Sequence, residues 1–374
     1  MWLLWLTAVA TACVTLTRAG MVNVCSDVKD CIRCTDSYVN IFAFREHCRW
    51  CYETNTCGTS ISCPTGSATA QRDPFKCPTK ASIAKGRRYT DKLGRSLYAL
   101  ALAVREKNPE ECLKNSRPDV KVVKYFEVDC DQSHNTCAGM LAVSEEAKAL
   151  YVIYRGSSVD RQLFQEFILG IGAQLGAWEK FVNGTGVMTY FHGAFHRLFL
   201  EGGMRDALIK LKNTHEGYRV WVTGHSLGGS LASMTALYLV NQTIFPPDKV
   251  KLVTFGEPRT GNYKFAKAVE QNVPFRYRII NRNDMVTNIP QSMDPDNLLL
   301  PTASAERQPY FYRFAVYYPQ GMEERESEFR ICEHPEDHRC RNLALAVDVN
   351  DHLTYFGIKS DDYIKARCPK SMLL

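Results

Sequence analysis

The chain has 374 residues, 45% of them hydrophobic and 23% charged, the proportions of a globular protein long enough to bury a sizeable core and hold two or three domains. Its 46 Lys and Arg against 40 Asp and Glu give a formal charge of +6, spread along the chain with no basic block, which excludes the electrostatic footprint of a nucleic-acid binder. Fifteen cysteines point to an oxidising compartment.

Residues 1–19 form an apolar stretch with Thr17 and Ala19 at the small-residue positions of a cleavage site, which reads as a secretory signal peptide although no Lys or Arg precedes the apolar run. A membrane anchor is the alternative, and Arg18 cuts the run short of a comfortable span. No later stretch is long and apolar enough to cross a bilayer, so the mature chain is expected to be secreted, extracellular and without a transmembrane segment. Losing Cys13 with the signal leaves fourteen cysteines, an even number that fits full pairing.

Residues 20–78 are cysteine-dense and poor in aliphatic side chains, a composition that needs covalent staples and reads as a separate module. Cys31-x2-Cys34 and Cys48-x2-Cys51 also have the spacing of two halves of a zinc site; the secretory signal and four further cysteines favour disulfides, and no metal is expected. The order Cys25, Cys31, Cys34, then Cys48-Arg49-Trp50-Cys51, then Cys57 and Cys63, resembles the plexin-semaphorin-integrin module. That resemblance implies the pairs Cys25 with Cys48, Cys31 with Cys77, Cys34 with Cys57 and Cys51 with Cys63. It also implies a module with no chemistry of its own, whose partner the sequence leaves unknown.

Residues 79–88 are small, polar and basic, and read as a linker to a second domain at 89–374. Leu93, Leu97, Leu100, Ala101 and Val104 recur at helical spacing and predict one amphipathic helix running to Cys112 or shortly before. Strands are predicted at 120–128, 140–143 and 149–154, with Cys130 and Cys137 bracketing a polar turn. Helical patterns at 195–211, 230–241 and 263–270 then alternate with strand patterns at 219–223, 249–255 and 275–280, the signature of an α/β sandwich with a mostly parallel central sheet. Strands at 311–318 and 328–332 form a hairpin-like end. The sequons Asn183-Gly184-Thr185 and Asn241-Gln242-Thr243 predict glycosylation.

The chemistry centres on Val220-Trp221-Val222-Thr223-Gly224-His225-Ser226-Leu227-Gly228-Gly229, a strand that stops at a glycine-flanked serine before a helix. Such a turn strains the serine backbone and exposes its hydroxyl, with the Leu227 N–H aimed at an oxyanion. A serine nucleophile needs a general base and an orienting carboxylate, expected in the order serine, acid, histidine. Asp284 follows the 275–280 strand after three polar residues and takes the acid role ahead of Asp294 and Asp296. Three histidines lie beyond it. His334 and His338 fall in the charged loop between Cys332 and Cys340, where a surface role is expected, which leaves His352 as the base. Ser157, after the strand ending at Tyr154, offers a second oxyanion donor through its N–H and hydroxyl.

Arg155-Gly156-Ser157, Gly224-His225-Ser226-Leu227-Gly228, Phe255-Gly256-Glu257-Pro258-Arg259-Thr260-Gly261-Asn262, Asn283-Asp284-Met285-Val286 with Pro290, and Asp351-His352-Leu353-Thr354-Tyr355-Phe356-Gly357 together resemble the class 3, fungal-type lipases. The resemblance implies an α/β-hydrolase fold, the triad Ser226, Asp284 and His352, and an oxyanion hole from Ser157 and the Leu227 N–H. It further implies pairing of Cys112 with Cys368, Cys130 with Cys137 and Cys332 with Cys340. A helix bearing Leu163, Phe164, Phe167 and Ile168 on one face stands where the family has a lid, with Leu163 where a tryptophan is frequent. The expected activity is hydrolysis of acyl-lipid esters, most of all triacylglycerol, at a lipid–water interface, with no cofactor. Phospholipase A1 or a soluble-ester esterase is the enzyme alternative, and an inert lipid- or protein-binding protein the non-enzymatic one.

Overall fold

The computed structural model describes residues 20–64, 69–82, 84, 86–130, 135–157, 178–292, 308–340 and 348–373. The expected signal peptide, the helix with Leu163, Phe164, Phe167 and Ile168, and Asp294 and Asp296 lie outside the described residues. The chain divides into two compact units, 1–77 and 78–374.

The first unit is built from short elements. Strands β1 (Gly20–Met21), β2 (Ser37–Ile41) and β3 (Phe44–His47) make one sheet; β4 (Arg49–Cys51), β5 (Thr56–Gly58) and β6 (Thr69–Ala70) make another. Helix α1 (Cys31–Thr35) starts where the Asp30 carboxylate accepts the Arg33 N–H at 2.9 Å. Disulfides join Cys25 to Cys48, Cys31 to Cys77, Cys34 to Cys57 and Cys51 to Cys63, and the first three pairs, with Val28, Val39, Trp50, Tyr52 and Ala70, are the core. So few aliphatic side chains leave cross-linking as the main source of stability.

The second unit is organised around an eight-stranded sheet. Its strands are β7 (Lys121–Asp129), β8 (Thr136–Ser144), β9 (Ala149–Tyr154), β10 (Arg219–His225), β11 (Val250–Phe255), β12 (Phe275–Asn281), β13 (Ala315–Tyr318) and β14 (Arg330–Cys332), neighbours in that order. The five from β9 to β13 are parallel; β14 pairs antiparallel at one edge, and at the other β8 pairs antiparallel with both β9 and β7. The predicted pair at 311–318 and 328–332 is therefore an extension of the parallel sheet closed by one antiparallel edge strand.

Helices cover both faces. On one, α2 (Asp91–Ala103) begins where the Thr90 hydroxyl accepts the Leu93 N–H at 3.2 Å, and its Leu97, Leu100 and Val104 side packs with Tyr151, Ile153, Val253, Phe255 and Ile279. The single helix expected up to Cys112 is two: α2 ends, and α3 (Pro109–Ser116) restarts with proline in its first turn, because proline lacks the N–H that would continue the ladder. The pattern at 195–211 is likewise divided. Helix α4 (Thr189–Phe195) passes into a π-helical segment, His196–Glu201, and α5 (Met204–Thr214) starts after Gly203, whose φ of +77° breaks the helical path. Helix α6 (Leu227–Asn241) is buried nearly all round, which suits a sequence of Leu, Ala, Ser and Met, and packs on β10 and β11. Helix α7 (Tyr263–Asn272) is capped by Asn262, which accepts the Phe265 N–H at 3.0 Å.

Residues read as a linker are tied down within this unit: the Thr79 N–H reaches the Glu333 carbonyl at 2.7 Å, and the Arg87 carbonyl accepts the Tyr277 hydroxyl at 3.1 Å. Disulfides join Cys112 to Cys368, Cys130 to Cys137 and Cys332 to Cys340, the first closing a separation of 256 residues. No helix among the described residues is long and apolar enough to cross a membrane. Asn183 is exposed in a turn, and Asn241 is half-buried at the end of α6.

Candidate active site

Ser226 sits between the last residue of β10 and the first of α6, with φ 58° and ψ −128°. A non-glycine residue holds such a backbone only where its surroundings fix it. Here the Ser226 N–H donates to the Phe255 carbonyl and the Gly229 N–H to the Ser226 carbonyl, both at 2.8 Å. A Cβ on Gly224 would overlap the Gly228 carbonyl, and one on Gly228 would overlap the Tyr154 carbonyl, so strand and helix meet here only without side chains. Ser226 is 2% exposed, and its Oγ makes no hydrogen bond among the described residues.

The loop after β9 presses on this turn. A Cβ on Gly156 would stand 2.8 Å from the His225 carbonyl and 3.4 Å from the Ser226 Cβ. Arg155 anchors the loop by donating to Glu127 at 3.1 Å, the Thr136 carbonyl at 2.8 Å and the Thr136 hydroxyl at 2.7 Å. Ser157 follows, its Oγ buried without a hydrogen bond among the described residues. Across from it Leu227 opens α6, and the first-turn N–H groups of a helix have no acceptor within it.

Asp284 and His352 come together from separate segments, both fully buried. His352 Nδ1 lies 2.9 Å from both carboxylate oxygens of Asp284. The same carboxylate accepts the Val286 N–H at 2.9 Å and the Tyr355 hydroxyl at 2.6 Å. Helix α8 (Val349–Leu353), which carries His352, is stitched to the Asp284 loop. The Asp348 N–H donates to the Asn283 carbonyl, the Asn283 N–H to the Asp351 carboxylate, and the Asn281 amide to the Asp351 and Thr354 carbonyls, at 2.7 to 3.1 Å. Beneath it Val286 packs with Val349. Behind it the buried Arg259–Glu336 ion pair, closing at 2.6 Å, holds the Asn288 and Pro290 carbonyls through Arg259 Nη1 at 2.8 and 2.7 Å.

His225 links the two halves. Its ring centroid is 4.4 Å from that of His352, and its Nε2 lies 2.9 Å from the His352 carbonyl. A carbonyl only accepts, so Nε2 carries a proton. Burial first, then the neighbouring His352, pushes the His225 pKa well below the ordinary histidine value. Gly256 is equally constrained: φ is +56°, and a Cβ there would be 2.7 Å from both Asp284 Oδ2 and His352 Cε1. Sequence reasoning gave neither His225, Gly256 nor Tyr355 a part in the site, and only the motifs containing them hinted at one.

His334 differs from expectation. It is buried, with Nε2 2.8 Å from the Asp337 carboxylate. Burial opposes ionisation of Asp337, but hydrogen bonds from His334 and Arg339 outweigh it and hold its carboxyl well below the usual range. The Cys332–Cys340 disulfide folds this charged loop inward around that pair, which is why composition misread it. Among the described residues no cluster of His, Cys, Asp and Glu could hold a metal ion.

Known proteins share both sequence and architecture with this chain. A lipase of Caenorhabditis elegans, Lipase ZK262.3, is 29% identical over 306 residues, covering 76% of this chain and 84% of the relative. The secreted mono- and diacylglycerol lipase 1 of Fusarium solani is 28% identical over 249 residues, 66% of this chain and 68% of the relative. The crystal structure of the lipase from Rhizopus microsporus var. chinensis superposes with a TM-score of 0.58 at 22% identity, over 76% of this chain and 93% of that one. The fold is that of an α/β-hydrolase, and residues 151–293 match the family described as Lipase (class 3).

Proposed function

We propose that this chain is a secreted serine lipase, a carboxylic-ester hydrolase acting on acyl lipids and above all on triacylglycerol. The observation that carries the reading is His352 Nδ1 at 2.9 Å from the Asp284 carboxylate, beside a serine held at a strand-to-helix turn. The class 3 lipase match and the lipases among the relatives support the choice of ester.

In this mechanism Ser226 Oγ attacks the ester carbonyl carbon while its proton passes to His352 Nε2. The carbonyl oxygen becomes an oxyanion held by the Leu227 N–H and by Ser157. Collapse breaks the ester C–O bond, and the leaving alcohol takes the proton from His352. Water then attacks the acyl-serine, giving His352 a proton that returns to Ser226 as the fatty acid leaves. Asp284 accepts the Nδ1–H throughout and keeps the ring oriented.

The rest of the reading completes a secreted product: a signal peptide at 1–19, a plexin-semaphorin-integrin-like unit at 20–78, a short connection at 79–88 and the hydrolase domain at 89–374. Glycans sit on Asn183 and Asn241, and Leu163, Phe164, Phe167 and Ile168 serve as an apolar lid. The test is release of acid by the purified protein from triglyceride, phospholipid and short soluble esters. Triglyceride hydrolysis lost in Ser226→Ala is expected; preference for phospholipid would make it a phospholipase A1, and no release from any ester would overturn the reading.

A further inference from the structure

Among the described residues nine large apolar side chains are exposed, and seven of them lie in the first unit: Met21, Val24, Ile32, Ile41, Phe42, Phe44 and Ile61. The hairpin of β2 and β3 gathers three of these at its tip. Ile41 pairs with Phe44, so Phe42 and Ala43 form the two-residue turn. Phe42 is 100% exposed and has φ +55°, a backbone region that turns of this kind normally give to Gly, Asn or Asp. Phe44 is 79% exposed. Beside it on the same strand face Glu46 accepts hydrogen bonds from the Ser60 N–H at 2.9 Å and the Ser60 hydroxyl at 2.6 Å, which brings the loop with Ile61, 89% exposed, alongside.

The β2–β3 hairpin is anchored at both ends, because it lies between Cys34 and Cys48, each bonded elsewhere in the unit. It is rimmed by polar groups: Arg45, whose guanidinium lies 4.1 Å over the Tyr38 ring, and Asn40 opposite it. Phe42, Phe44 and Ile61 offer on the order of 500 Å² of apolar surface, gathered on and beside a projecting two-residue turn. A lipid surface demands no complementary partner, and apolar side chains projecting from a polar rim enter it at the headgroup boundary. We propose that the Phe42–Phe44 hairpin tip inserts into a lipid–water interface and holds the enzyme on the surface that contains its substrate. The inference rests on the lipase reading for the choice of surface.

The test uses the full mature chain with Ser226→Ala, so that binding is read without hydrolysis. It should sediment with phosphatidylcholine vesicles, and Phe42→Ser/Phe44→Ser should lower the partition coefficient by about tenfold or more. With Ser226 intact, the double variant should lose rate on a triglyceride emulsion and keep it on a soluble short-chain ester. As a second readout, the indole introduced by Phe44→Trp should be quenched by brominated acyl chains. No vesicle binding, equal binding by the double variant, or an unquenched indole would overturn the proposal. So would lipid-free self-association carried by Phe42 and Phe44, which would assign the tip to a second copy. Vesicle binding without hydrolysis of any ester would leave the hairpin standing and remove the lipase.

Discussion

His225 Nε2 donates to the His352 carbonyl at 2.9 Å, and the two rings lie 4.4 Å apart, so the residue preceding Ser226 fixes the backbone of the residue paired with Asp284. One hydrogen bond therefore connects the strand-to-helix turn to α8. It also buries a histidine that must stay neutral, and this has a pH consequence.

The folded-state pKa of His225 is depressed below the ordinary 6.5 by burial. Between that lowered value and 6.5 the unfolded chain binds a proton that the folded chain refuses, so this contribution is fully present above about pH 6.5 and lost as pH falls. The slope from one such group is at most about 1.4 kcal/mol per pH unit. His225→Gln should flatten the fall of Tm between pH 6.5 and 4.5 relative to the unsubstituted protein, measured by calorimetry. Parallel curves would mean His225 does not control acid stability.

Gly256→Ala should be well folded and nearly inactive. The new Cβ meets Asp284 Oδ2 and His352 Cε1 at 2.7 Å, in a backbone conformation that alanine adopts poorly. A displacement of this size at the reacting groups costs about 10²-fold in rate. Steady-state kinetics on a soluble ester, with circular dichroism as the fold control, decide it: kcat within threefold of the unsubstituted enzyme would contradict the geometry.

Tyr355→Phe removes the 2.6 Å hydrogen bond to Asp284 while keeping the ring packed against His225 and Tyr98. Asp284 keeps its bonds to Val286 and His352, so the expected loss is partial, about tenfold in kcat with KM unchanged. A rise in KM with kcat preserved would place Tyr355 in substrate binding instead.

The alternation of strand and helix patterns from 219 to 281 was legible because β10, β11 and β12 are short stretches rich in β-branched and aromatic residues, followed by helices opened by Leu227 and capped by Asn262. Element breaks were less so. Periodicity carried one helix across Asn108-Pro109 and another across Gly202-Gly203, where local backbone chemistry overrides the apolar repeat. At the site, Ser226 and Asp284 stood out because each follows a strand and opens an element, and His352 because His334 and His338 were the only other histidines beyond Asp284. His225 and Tyr355 act through contacts across 127 and 71 positions of sequence, and Gly256 through its close approach to Asp284 and His352, which no local pattern records. The inward turn of His334 depends on the disulfide and ion pair that fold its loop, again a tertiary matter.

The central claim is that Ser226 is the nucleophile that His352 and Asp284 serve. Its most direct test is mass-spectrometric identification of the residue modified when the purified protein is treated with an alkyl fluorophosphonate, alongside triglyceride hydrolysis. The account predicts one adduct per chain, on the peptide containing Ser226, with hydrolysis lost in proportion and Ser226→Ala left unlabelled and slowed by about 10³-fold or more. A stoichiometric adduct on another residue, or full hydrolysis by Ser226→Ala, would contradict it.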